Sequence, residues 1–475
     1  MAINPQDNRP KAGLLLLSAE WFIQVGAHSG RFSDLPHNLE LDSAAIEASL
    51  AGAIQVVNPG ILTSRQQVAE AVARFKQEDV DLVIICHVTW AEDRLVLDAV
   101  QQLPAVPRLL WCYAPFHHLP DPLSMSAMFR ASGAVGTLQA SGPLKRLGYS
   151  FGTAFGSHSN PLAIQNIIAY AQAARAVRLL RRAVIGVLPY RCDQMTCTYV
   201  DEFRLKQEIG AELKYISTHD YRELCNEIPD EAVAAFVQEL RQTYPASPEL
   251  TAVGLQRGAR ASLGLAELAV RYHLDAIAIE DICEEMHRVI GLRPCLSVPA
   301  LFERAVVSME AEVGGAVALM MQKMLSGGQP PMYTEIFTFD ESENCILLGH
   351  AGMHDIRLAD GPADVLLEPD GEYVETEPDS AWMRFRARGG QVTLLSVFCG
   401  ADRFKLVMAR GEALAGKPML LGSPHIYVHL AMPLAEFFDQ SIRTGMTQHW
   451  AVVHADTVPA LLALADILGL EKVII

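Results

Sequence analysis

Leu325 to Phe339 read LSGGQPPMYTEIFTF, and the character of the chain changes inside this stretch. Gly327 and Gly328 close a helical pattern, and Pro330 and Pro331 forbid its continuation. Beyond them MYTEIFTF begins a series of short alternating runs: CILLGH, WMRFRA, QVTLLSVF, KLVMARG and HIYVHL. Such runs predict an antiparallel β domain, a barrel or a sandwich. Gly389 and Gly390 between WMRFRA and QVTLLSVF read as a hairpin turn. The chain then closes with helical patterns at 433–444 and 457–469 around the strand HWAVVHA.

Before Leu325 the pattern is different. GLLLLS (13–18), IQVV (54–57), DLVIICHV (81–88) and RLLWCY (108–113) are continuous apolar runs separated by amphipathic segments such as 64–78. Strands without polar alternation, joined by helices, indicate a parallel sheet covered on both faces. A long helical stretch, 162–182, leads to a second series, AVIGVL (183–188), ELKYIS (212–217) and DAIAIE (275–280), with the linker YPASPEL (244–250) between. The 475 residues suit about three domains at roughly 150 residues each. The fold expected is α/β: two Rossmann-like domains with parallel sheets, 1–175 and 176–328, then a C-terminal antiparallel β-barrel-like domain with terminal helices, 329–475.

Composition bounds the function. Half the residues are apolar and 20% are charged, which suits a globular protein with a sizeable core. The net charge of −17 argues against nucleic acid or an anionic membrane as partner. The nine cysteines are odd in number, form no CxxC pair and sit in apolar runs, so they read as reduced thiols of a cytoplasmic protein. MAINPQDNRPK lacks an apolar signal core, and the uncharged stretch 151–174 carries too many polar groups to span a bilayer. No GxGxxG follows a strand, and Walker A and HExxH are absent.

What remains for chemistry is a set of acids and histidines around the last boundary. Glu310 and Glu312 precede the very apolar helical stretch 313–325. Position alone favours a plain first-turn acid, worth roughly 0.3–1 kcal/mol. Glu335 alternates with Tyr333, Phe337 and Phe339. Either that face is buried and the acid needs a partner such as a metal, or it is exposed and Met332 and Ile336 make the core. His350 ends one strand and His449 begins another. A lone histidine in such a place is usually structural. Two carboxylates with one or two imidazoles would together suit Mn²⁺, Co²⁺ or Fe²⁺.

Five segments add weight to the last reading: PCLSVPAL (294–301), MEAEVGGAVAL (309–319), SGGQPPMYTE (326–335), CILLGHAG (345–352) and QHWAVVHAD (448–456). In order and spacing they resemble the L-fucose isomerase and L-arabinose isomerase superfamily. The resemblance covers roughly the last 180 residues by motif, and the first 290 by domain pattern only. It implies a metal-dependent aldose–ketose isomerase acting on a pentose, hexose or deoxyhexose through an ene-diolate. It assigns Glu310 and Glu335 as the catalytic acids, with Glu310, Glu335, His350 and His449 holding Mn²⁺ or another divalent cation such as Co²⁺ or Mg²⁺. His350 is a ligand only in the arabinose type, and a glutamate at 335 leans that way. It also implies a homo-oligomer, trimeric or hexameric, with a neighbouring subunit's first domain at the sugar; Glu20 and Trp21 are candidates for that contact, or ordinary loop residues. Gln448, His454 and Ala455 depart from the family pattern, which leaves the sugar open. Two other classes remain: a non-catalytic sugar-binding protein, and a metal-dependent lyase or hydrolase on the same scaffold.

Overall fold

The computed structural model describes residues 9–28 and 32–475; Met1–Asn8, where the signal-core reading begins, lies outside them. The chain divides into two compact units. One comprises residues 9–178 with Pro459–Leu468; the other runs from Leu179 to Val458 and ends with Gly469–Ile475.

The first unit is built on six parallel strands: β1 (Lys11–Leu17), β2 (Gln55–Val57), β3 (Ile61–Leu62), β4 (Leu82–His87), β5 (Arg108–Cys112) and β6 (Gly152–Phe155). Their order is β2-β1-β4-β5-β6, with β3 beside β1. Leu14, Leu16 and Ile84 feed one core, and Leu15, Leu17 and Ile85 feed another. Successive side chains point to opposite faces and both faces are covered, which is why these strands read as unbroken apolar runs. The helix Arg65–Gln77 covers one face with Val68, Ala71, Val72 and Phe75, and the Ser64 hydroxyl caps it by accepting from the Gln67 N–H. The late helix Val458–Leu468 lays Ala463 and Ile467 on the other core. Glu20 and Trp21, read as loop residues, open the helix Glu20–His28.

The second unit starts with a parallel sheet, β7 (Val184–Leu188), β8 (Glu212–Tyr215), β9 (Ala276–Ile279) and β10 (Val306–Ser308), in the order β10-β9-β7-β8. The strand order reverses between β7 and β9. In such sheets ligands bind at that reversal, beyond the carboxyl ends of the strands.

The remaining strands are β11 (Met332–Asp340), β12 (Cys345–Gly349), β13 (Val365–Glu368), β14 (Trp382–Phe385), β15 (Gly390–Cys399), β16 (Phe404–Ala413), β17 (His425–Leu430), β18 (His449–Val453) and β19 (Glu471–Ile474). Six pair antiparallel in the order β15-β18-β11-β12-β17-β16, and β15 also pairs with β16, so the ring closes into a barrel. Closure removes the free edges that an open sheet would expose. β19 adds to β16 in parallel. The hairpin expected at Gly389–Gly390 is not formed. β14 pairs instead with β13, held by Glu368, which accepts from the Trp382 indole and the Arg384 guanidinium. The Ala387 N–H then donates to the His425 carbonyl and the Arg388 N–H to that of Leu358, so the chain leaves β14 before it can fold back. The hairpin partner of β15 is β16, across Gly400–Arg403.

The helix Val313–Leu325 packs against β15 and β18 and is buried over almost its whole length. That explains its all-round apolar character. A Cβ on Gly314 would strike the Val397 carbonyl oxygen, whereas one on Gly52 meets nothing. Gly314→Ala is therefore expected to cost about 1–3 kcal/mol, and Gly52→Ala less than about 0.5 kcal/mol. Thermal melts of the two variants check this; equal stability would mean that the helix–barrel contact yields easily. Among the described residues no helix is long and apolar enough to cross a membrane. All nine cysteines are free.

Candidate metal centre

Glu310 sits just past the carboxyl end of β10, in a turn with an uncommon backbone. Its φ is +57° and that of Ala311 is +48°. A left-handed conformation costs an L-residue roughly 1–2 kcal/mol, so neighbouring groups must hold it. The Glu310 N–H donates to Asp281 Oδ1 at 3.0 Å, and the Ala311 N–H to the Ile279 carbonyl at 2.8 Å. Two residues on, Glu312 is the N-cap of the buried helix, yet its side chain makes no cap hydrogen bond. Glu312 thus stands at the helix terminus, but its carboxylate serves the site instead of the helix. Its Oε2 accepts from the Tyr333 hydroxyl at 2.8 Å and lies 3.1 Å from His449 Nδ1. Gly315 makes this possible, since a Cβ there would collide with both Glu312 and Tyr333.

The barrel supplies the other groups. Glu335 of β11 stands opposite His449 of β18, and directly opposed residues project to the same face. His350 follows the last residue of β12. The rings of His350 and His449 are 5.3 Å apart, and Tyr333 lies 5.0 and 4.8 Å from them. One ligand atom each of Glu310, His350 and His449 lies within 4.8 Å of the others, and all three residues are buried. His449 Nε2 is 3.0 Å from Glu310 Oε2, and His350 Nε2 is 3.7 Å from Glu310 Oε1. Three of the four residues singled out in the sequence therefore converge. Glu335 lies outside that tight set, half-buried on the adjacent strand. The alternation read along β11 also fails. A register shift between Ile336 and Thr338 breaks the period, and burial falls steadily from Met332 to Asp340.

The electrostatics suit a cation. Glu312 Oε1 and His350 Nε2 are buried without a hydrogen-bond partner, and buried Glu310 Oε2 and His449 Nε2 have only each other, at 3.0 Å. Four atoms so placed around one point demand an explanation. Spacings of 3.0 and 3.7 Å are close to those between donors sharing an ion with bonds of about 2.1 Å. His350 places Nδ1 2.7 Å from the Ala351 carbonyl, so the tautomer with Nδ1–H donating leaves Nε2 a free lone pair. Burial and the neighbouring His449 hold its pKa well below the usual imidazole value. Burial alone would lower His449 too, but the Glu312 and Glu310 carboxylates outweigh it and push it up to about 10. Acids that favour a positively charged ring this strongly would also favour a metal cation beside it. Burial raises Glu335 above its ordinary value, and the nearby Glu310 carboxylate adds to the effect. Glu310, His350 and His449, with Glu335 alongside, thus fit a divalent cation of the Mn²⁺ or Co²⁺ kind.

The sequence reading missed Glu280 and Asp281. Both are buried at the carboxyl end of β9. Burial, then the charge of Asp281, pushes Glu280 up to about 8; burial pushes Asp281 up to about 6 against the pull of Arg293. The available signal was the pair of acids ending the apolar strand DAIAIE, at the place where parallel sheets hold their ligands.

The site is thus of the mixed carboxylate–imidazole class, set between a parallel sheet and a barrel. The chain is 21% identical over 419 residues to a sulfoquinovose isomerase of Priestia aryabhattai, covering 86% of this chain and 89% of that protein. It is 20% identical over 398 residues to a sulfoquinovose isomerase of Alkalicoccus urumqiensis (83% and 86% covered). A sulfoquinovose isomerase of Clostridium sp. (strain MSTE9) is 23% identical over 396 residues (82% and 85% covered). No protein-family model matches. Among solved structures, a periplasmic sugar-binding protein from Legionella pneumophila is similar at 11% identity and a TM-score of 0.15, covering 67% of this chain and 94% of that one; no fold relationship follows at that level.

Proposed function

We propose that this chain is a divalent-metal-dependent aldose–ketose isomerase of the L-fucose/L-arabinose isomerase type. The observation that carries the reading is the meeting of Glu310, His350 and His449, with buried ligand atoms that face only one another. The names of the three relatives support isomerisation of a sugar. Mn²⁺ is the proposed ion, with Co²⁺ or Mg²⁺ as substitutes. When bound, a divalent cation supplies charge that polarises the sugar's carbonyl and hydroxyl oxygens.

The protein's own groups do the rest. Glu310 offers one oxygen towards each histidine. Tyr333 and Glu312 fix the His449 ring by its Nδ1 edge. Glu335 is the group proposed to carry the proton between C1 and C2. Its raised proton affinity suits a base working near neutral pH. The reading includes a cytoplasmic homo-oligomer, trimeric or hexameric, with no nucleic-acid or membrane partner.

The test is a screen of aldopentoses, aldohexoses, deoxy sugars and sulfoquinovose with Mn²⁺, read by ketose formation. Sulfoquinovose belongs in it because the relatives carry that name. The proposal expects ketose from at least one sugar. Binding without turnover would make the chain a sugar-binding protein, and cleavage of the carbon chain would make it a lyase.

A further inference from the structure

Glu310 meets the two histidines only because its turn is held in a left-handed shape, with φ of +57° at Glu310 and +48° at Ala311. Neither residue is one that adopts this region readily. Two side chains brace the turn: the Ser308 hydroxyl donates to the Glu312 carbonyl at 2.9 Å, and Asp281 Oδ1 accepts from the Glu310 N–H itself at 3.0 Å. Asp281 in turn faces the Arg293 guanidinium at 3.6 Å. Arg293 is 2% exposed. It grips Asp370 with two hydrogen bonds, of 2.6 and 2.8 Å, and Glu372 with one of 2.7 Å. The rings of Tyr373 and Trp382 lie 4.9 and 5.9 Å from its central carbon. Only a planar fork can serve several carboxylates and two rings at once. The segment from Asp370 to Trp382 therefore fixes one guanidinium, and that guanidinium faces the carboxylate that shapes the Glu310 turn.

We propose that Asp281 and Arg293 are positioning residues of the isomerase site: through the hydrogen bond to the Glu310 N–H they set the turn that presents Glu310 to the cation. The inference rests on the metal reading above. It assigns neither residue a contact with the sugar.

The experiment is Mn²⁺ titration of the full chain, by calorimetry or by the loss of free Mn²⁺ signal in electron paramagnetic resonance. Melting in EDTA and sugar kinetics accompany it. Asp281→Ala removes the acceptor, and Mn²⁺ affinity is expected to fall 10- to 100-fold, as for groups that orient metal ligands. Turnover should fall with it, while KM for the sugar changes less than about threefold, since binding common to ground and transition states is untouched. Asp281→Asn keeps an oxygen for the Glu310 N–H and should recover most of the Mn²⁺ affinity. Arg293→Lys keeps the charge and loses the fork, and should weaken Mn²⁺ binding with a cooperative melt retained; it decides the matter if Asp281→Ala does not fold. A purely structural role would lower the melting temperature of each variant and leave the Mn²⁺ affinity of the folded protein unchanged. Folded Asp281→Ala or Arg293→Lys binding Mn²⁺ like wild type overturns this inference alone. Wild type that binds neither Mn²⁺, Co²⁺ nor Mg²⁺ overturns the metal reading, and this one with it.

Discussion

Glu310→Gln is expected to lower turnover by at least a thousandfold while the protein still folds. The replacement keeps the side chain's size in a buried place and removes only the negative charge. That charge faces His449 Nε2 at 3.0 Å and His350 Nε2 at 3.7 Å. A positioned acid–base group contributes roughly 10²–10⁴-fold, and weaker metal binding adds to the loss. Glu335→Gln should fall within a similar range through proton transfer, with less effect on Mn²⁺ affinity, because Glu335 stands outside the tight set. Ketose formation on the true substrate, circular dichroism and Mn²⁺ titration separate the two. A Glu310→Gln variant keeping more than a tenth of wild-type activity would remove Glu310 from the mechanism.

The second large effect is expected at the histidines. His449 is joined to both acids, by Nε2 to Glu310 and by Nδ1 to Glu312. His449→Ala therefore deletes a proposed ligand and strands the Glu312–Tyr333 pair behind it. An ion that binds only the folded protein adds roughly 2.7 kcal/mol at a hundred times its Kd. Most of that Mn²⁺-dependent gain should vanish in His449→Ala. His350→Ala should lose a comparable share, since its Nε2 belongs to the same set. Melting each variant with and without Mn²⁺ reads this out. An undiminished Mn²⁺ gain in His350→Ala would make the site one of the fucose type, with His350 a bystander.

Much of this architecture is written locally. Unbroken apolar runs such as LVIICH, short and bounded by amphipathic segments, point to strands covered on both faces, and the Gly-Gly and Pro-Pro pairs after Leu325 end a helix by backbone geometry alone. Glu310, His350 and His449 were legible because they stand at the ends of elements within ordered motifs. The pairing of the barrel strands was not. The Gly389–Gly390 signal is real as a bend, with Gly390 at φ +130°, but bonds to Leu358 and His425 decide where the chain goes. Likewise Glu312 read as a plain first-turn acid, because the partner that turns it inward, His449, is 137 residues away. Arg293 and Asp281 gave no sign of their link, which depends on the fold of a segment some 80 residues later. Periodicity sees a few turns of chain, whereas these contacts exist only once the sheet and barrel are assembled.

The measurement that tests the central claim most directly uses wild-type protein stripped with EDTA and checked metal-free by elemental analysis. Its melting temperature and its isomerisation of the best sugar are then recorded with and without Mn²⁺. A cation bound by Glu310, His350 and His449, with Glu335 beside them, ties the turn after β10 to three barrel strands. Stripping should therefore lower the melting temperature and abolish ketose formation, and Mn²⁺ should restore both. If the stripped protein melts at the same temperature with and without Mn²⁺ and still isomerises the sugar, the metal centre is wrong, and these acids and histidines are structural.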